Sequence, residues 1–119
     1  VVCPKNAFGS WIDEFCFCFG SKETLNLFNL HAPQYNSTQV RRMALKYESG
    51  GCNLLLINYE AVGSVRQELG RIIDNRTLLV FDEVHRVKRI DGEYARHAVA
   101  LAKNASYVIA MTGTPIPNT

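Results

Sequence analysis

A parallel α/β sheet covered by helices on both faces is the fold this sequence predicts, and three observations predict it. Five short apolar runs are spread along the chain: Val1-Val2-Cys3, Leu25 to Leu30, Leu54-Leu55-Leu56-Ile57, Thr77 to Phe81 and Tyr107 to Met111. Between them lie segments whose apolar residues recur at helical spacing. Most of the runs are apolar throughout rather than alternating, the pattern of strands buried from both sides.

The elements follow in order. Pro4 ends the first run. Ser10, with Asp13 three residues on, predicts a capping box and a helix whose apolar face is Trp11, Ile12, Phe15 and Phe19, ended by Gly20. Leu25 to Leu30 is the second strand, and residues 31–38 are polar and turn-rich. Val40, Met43, Ala44 and Tyr47 mark the next helix, with Arg41, Arg42 and Lys46 on its solvated side. Gly50-Gly51 breaks it before the run at Leu54. Ala61/Val62, Val65, Leu69 and Ile72/Ile73 form one further helical stripe, and Asp74-Asn75-Arg76 turns into the strand ending at Phe81. Tyr94, Ala98, Leu101 and Ala105 give the last helical face before Tyr107. No repeat or linker divides the chain.

The 119 residues make one domain or a piece of one. With 47% apolar and 20% charged residues the composition is that of an ordinary globular chain, which excludes collagen, coiled coil and low-complexity disorder. No apolar run approaches the roughly 20 residues of a membrane span. The 13 Lys+Arg against 11 Asp+Glu leave a charge of +2, so bulk charge announces no nucleic-acid partner and local sites must do so. The four cysteines form no C-x-x-C pair and His31, His85 and His97 are scattered, so zinc spacing is absent. Reduced, mostly buried thiols of an intracellular protein are expected. His31 and His97 are expected at the surface and Trp11 in the core. The chain opens without methionine or leader, and residues 1–119 are expected to be part of a domain truncated at both ends.

In such a sheet ligands bind outside the carboxyl ends of the strands. The polar residues there are Pro4-Lys5-Asn6, Asn58-Tyr59-Glu60, Asp82-Glu83-Val84-His85 and Thr112-Gly113-Thr114-Pro115. Adjacent carboxylates at a strand end repel each other unless a cation or a proton satisfies them. Asp82 suits Mg²⁺, which takes one or two carboxylates together with phosphate oxygens and water. Glu83 can then polarise an attacking water. The competing reading makes Asp82 and Glu83 a helix cap. Thr112 to Pro115 is a compact polar turn, with glycine allowing close approach, and its competing reading is a simple turn.

Together these segments resemble superfamily 2 helicases and translocases, specifically the Swi/Snf-type ATPases. Asp82-Glu83-Val84-His85 is similar to their motif II, of D-E-x-H form, and His85-Arg86-Val87-Lys88 to its H-R-x-K continuation. Met111 to Asn118 resembles motif III, Val2-Cys3-Pro4-Lys5 with Trp11-Ile12-x-Glu14-Phe15 resembles motif Ia, and Asn58-Tyr59-Glu60 resembles motif Ib. The resemblance covers nearly the whole chain. It implies an incomplete RecA-like lobe that uses ATP and Mg²⁺ to move on double-stranded DNA, or on RNA, together with a second RecA-like lobe. It makes Asp82 (Mg²⁺), Glu83 and His85 catalytic, Thr112, Gly113, Thr114 and Pro115 a coupling motif, and Pro4, Lys5, Asn6, Asn58 and Tyr59 a nucleic-acid contact. Exposed N–H groups near Asn6 and Asn58 are expected to donate to phosphates. Arg86, Lys88, Arg89 and Arg96 form a further candidate for nucleic-acid or inter-lobe contact.

Phosphoryl transfer needs a phosphate cradle, a metal, a positioned water and a charge stabiliser. The sequence contains no G-x-x-x-x-G-K-[ST] loop, so the chain alone is expected to be inactive. Two other readings stand beside this one: a non-catalytic α/β binding module, and the ATPase lobe of a restriction-type or RNA-directed D-E-x-H helicase.

Overall fold

The computed structural model describes residues 1–20, 26–85 and 92–112. A 3-10 turn (Lys5–Ala7) leads from Pro4 into α1 (Phe8–Phe19), followed by β1 (Leu27–Asn29) and α2 (Thr38–Tyr47). Then come β2 (Leu54–Leu56), α3 (Tyr59–Val62), a 3-10 turn (Gly63–Val65) and α4 (Arg66–Ile72). β3 (Leu78–Phe81), α5 (Glu93–Ala102) and β4 (Tyr107–Ala110) complete the described elements.

Two parallel strand pairs form, with Leu27 opposite Leu54 and Leu78 opposite Tyr107. Val2 joins them through parallel bridges to Ile57 on one side and Phe81 on the other. The Val2 N–H donates to the Val80 carbonyl at 2.8 Å, and the Cys3 N–H to the Ile57 carbonyl at 3.0 Å. The lateral order is therefore β1, β2, the Val1–Cys3 run, β3, β4.

Alternation along the strands sorts side chains to two faces. Val2, Phe28, Ile57, Leu79 and Phe81 pack with Ala44 and Leu45 of α2, with Tyr59, Ala61 and Val62 of α3, and with Leu69 of α4 and Leu101 of α5. Cys3, Leu54 and Leu56 pack on the other face with Phe8 of α1, and Trp11, Ile12 and Phe15 lie against them. The predicted α/β architecture, with helices on both faces of a parallel sheet, is present, although its strands are short.

Several local expectations are corrected. α1 begins at Phe8 and Ala7 caps it without a side-chain bond, so Ser10 and Asp13 lie inside the helix and form no capping box. The turn after Pro4, closed by the Ala7 N–H on the Pro4 carbonyl at 2.9 Å, already brings the chain to helical geometry. Phe19, expected on the apolar face, is exposed with its ring against Phe15. In α2, Ala44 and Leu45 are buried while Val40, Met43 and Tyr47 are exposed. Two arginines hold that helix rolled: Arg41 Nε donates to the Leu30 carbonyl at 3.1 Å and Arg42 Nε to the Ser64 carbonyl at 3.0 Å. The single helix expected over the Ala61–Ile73 stripe is broken into α3, the 3-10 turn and α4, although Ala61, Val62, Val65 and Leu69 are all buried.

The last strand is not covered as its apolar sequence predicts, because every residue of β4 is exposed. All four thiols are free, but Cys3 alone is buried; Cys16 and Cys52 are half-buried and Cys18 is exposed. Burial pushes the Cys3 thiol up to about 12. His31 and His97 are half-buried rather than surface residues. Leu25, the first residue of the predicted second strand, lies outside the described residues. No helix among those described is long and apolar enough to cross a membrane.

Candidate functional site

The carboxyl ends of Val1–Cys3 and β3 lie side by side, and their continuations part. The first leads to α1 on one face of the sheet, and α5 follows β3 on the other. In open α/β sheets such a divergence is where ligands bind, and Asp82 stands at it.

Asp82 is fixed by four hydrogen bonds. Its N–H continues the ladder to the Val2 carbonyl at 2.9 Å. Its Oδ1 accepts the Glu83 N–H at 2.9 Å, and its Oδ2 accepts the indole Nε1–H of Trp11 at 2.8 Å. Its carbonyl accepts the Tyr59 hydroxyl at 2.6 Å. Burial, with the Asp82 charge nearby, pushes the Tyr59 phenol well above its ordinary range, so it stays a donor. A helix cap bonds N–H groups two or three residues on, and the Asp82 carboxylate makes neither of the bonds above that way. Each of its oxygens keeps further acceptor capacity.

Glu83 adopts φ 55°, the left-handed region that non-glycine residues rarely enter, at a cost on the order of 1 kcal/mol. Its Oε2 lies 3.5 Å from His85 Nε2. The other ring nitrogen, Nδ1, is 3.0 Å from the Thr112 hydroxyl. A carboxylate only accepts, so a proton on Nε2 faces Glu83, and Nδ1 exchanges a hydrogen bond with the Thr112 hydroxyl. The backbone reinforces the join: the Val84 N–H donates to the Met111 carbonyl at 2.9 Å, and the Met111 N–H to the Phe81 carbonyl at 2.8 Å. Asp82, Glu83, His85 and Thr112, read from separate strand ends, are thus brought together. Gly113, Thr114 and Pro115 lie outside the described residues, as do Arg86, Lys88 and Arg89; Arg96 is exposed on α5.

The second predicted set divides. Lys5 and Asn6 are exposed, while Pro4, Asn58 and Tyr59 are buried. Asn58 Oδ1 caps α3 by accepting the Ala61 N–H at 3.0 Å, and the Asn58 N–H donates to His31 Nε2 at 3.3 Å. This corrects the expectation of a free donor at Asn58, because a half-buried imidazole already takes it. Burial holds His31 down at about 4, aided by the Arg41 and Lys5 charges, so the ring is neutral and able to accept.

Sequence reasoning missed three supporting residues. The sequence predicts Trp11 in the core, Tyr59 as a phosphate contact and His31 at the surface. His31 carried a signal, since it follows directly on an apolar run at the carboxyl edge.

This is a parallel α/β lobe whose acidic strand end is tied through a histidine to a threonine on the neighbouring strand end. The chain belongs to the SNF2-related domain family, which matches residues 1–119. It is 33% identical over 119 residues to the human TATA-binding protein-associated factor 172, a match that takes in 99% of this chain and 6% of that protein. The chain therefore spans a small part of the length of that relative.

Proposed function

We propose that residues 1–119 are part of the first RecA-like lobe of an ATP-dependent DNA translocase of Swi/Snf type. In this reading Asp82 holds Mg²⁺, Glu83 orients the attacking water, and His85 with Thr112 links the nucleotide site to the neighbouring strand end. The observation that carries it is the convergence of Asp82, Glu83, His85 and Thr112 at one carboxyl edge of a chain in the SNF2-related family.

The donor set fits the ion. Among the described residues there is no group of three or more His, Cys, Asp or Glu able to hold a metal. These residues therefore form no closed protein site, and Mg²⁺ is the cation that asks least of the protein, because phosphate oxygens and water fill most of its shell. When bound it neutralises charge on the phosphates. The phosphate loop and charge stabiliser would come from other parts of the complete protein. In this reading Lys5 and Asn6, which are exposed, meet the phosphates of double-stranded DNA, and the buried Pro4, Asn58 and Tyr59 belong to the same set of strand ends. Free thiols support an intracellular setting.

The test is Glu83→Gln in the complete protein. ATP binding by calorimetry should be retained, while hydrolysis falls by about two orders of magnitude or more. Hydrolysis at the parent rate would remove Glu83 from the mechanism.

A further inference from the structure

We infer that Trp11 is a positioning residue that aims the Asp82 carboxylate at its cation. The inference rests on the reading of Asp82 as a cation ligand and adds a residue to it. An indole N–H is a donor only, and Trp11 spends it on Asp82 Oδ2 at 2.8 Å across 71 positions of sequence. A tryptophan serving as filler needs no such alignment.

The geometry explains what the bond does. Oδ1 is held by the Glu83 N–H at 2.9 Å. A carboxylate bonded through that oxygen alone can still swing about its terminal torsion. A second donor on the other oxygen fixes the plane, and the remaining lone pairs then face one direction. The bond is charge-assisted, so it is stronger than a neutral one. The donor is itself immobilised, because the Trp11 ring packs with Cys3, Phe8, Leu54 and Leu56 under the sheet. α1 thus serves as a rigid arm whose tip sets the metal carboxylate. The arrangement is that of an outer-shell partner, which orients a ligand without touching the metal.

The complete protein labelled with 5-fluorotryptophan tests this. The ¹⁹F signal of Trp11 is the one missing from Trp11→Phe. Adding Mg²⁺ to the ADP-bound protein should shift that signal, and Asp82→Asn should abolish the shift. In parallel, Mn²⁺ binding in the presence of ADP, read by EPR, should weaken about tenfold in Trp11→Phe, with little change in thermal midpoint. Loss of packing alone would move the midpoint and leave cation affinity in place. If Trp11→Phe does not fold, the assignment is taken from Trp11→Tyr, and a Trp11 signal indifferent to Mg²⁺ in the labelled parent overturns the inference. Unchanged Mn²⁺ affinity in a folded Trp11→Phe overturns it whatever the signal does, and leaves Asp82 as the ligand if Asp82→Asn loses the ion. Unchanged affinity in Asp82→Asn overturns the inference and the reading beneath it together.

Discussion

His31 sits between two cations and a backbone donor, and its neutrality is a condition of the fold. Its pKa lies at about 4 in the folded chain, against about 6.5 for a free imidazole. The unfolded chain binds the proton more readily, so protonation favours unfolding. Stability should be full above about pH 6.5, fall as the pH drops towards 4, and level off below that. Urea unfolding across this window should show the slope, and His31→Gln should flatten it; an equal slope in the variant would assign it to other groups. The residues that carry the proposed chemistry were legible because Asp82, Glu83, His85 and Thr112 are short motifs at strand ends. The bonds of Trp11 and Tyr59 to Asp82 were not, because each reaches it from a distant segment: Trp11 looks like core in sequence, and Tyr59 like a contact at its own strand end. One polar atom on an otherwise apolar ring leaves no periodic signal.

Among the helices, the junction of α3 and α5 is the most tightly specified. A Cβ at Gly63 would stand 2.6 Å from His97 Nε2, closer than packed atoms approach. Gly63→Ala must displace that imidazole, at a cost of about 1–3 kcal/mol for overpacking. Most of the cost should disappear in a His97→Ala background, and a double-mutant cycle by denaturant unfolding measures the difference. Full cost in both backgrounds would place the strain elsewhere. Apolar periodicity located this whole region yet drew one helix over it, because the same buried stripe is satisfied by α3, a 3-10 turn and α4. The roll of α2 is hidden for a related reason: Arg41 and Arg42 look like solvated charges in sequence, whereas their Nε groups are spent on the Leu30 and Ser64 carbonyls.

Across the whole molecule the net charge is only +2, so any hold on a polyanion depends on where individual cations stand. Lys5 is exposed, and it follows the Val1–Cys3 run that bonds Asp82 through the Val2 carbonyl. Phosphate contacts carry no base information. In the complete protein, Lys5→Ala should weaken binding about equally on unrelated DNA sequences and make the salt slope shallower by about one unit. Filter binding over a salt series measures both, and an unchanged slope would leave Lys5 a solvated loop residue. Fold class was legible at this scale because five apolar runs and the helices between them are properties of the chain itself. The exposure of β4 was not, since burial belongs to what lies beside a strand rather than to its own residues.

The place of Val2 governs how such a sheet can assemble. It lies between Ile57 and Phe81, both far along the chain, whereas each strand pair on either side of it closes a much shorter loop. The pairs β1–β2 and β3–β4 are the more local pairings, and neither alone makes the continuous sheet. That waits for the long loop to close on three residues, a step whose entropic toll is met before its contacts form. Joining the halves thus closes the longest loops in the sheet, and Asp82, whose N–H bonds Val2, takes its place in that same step.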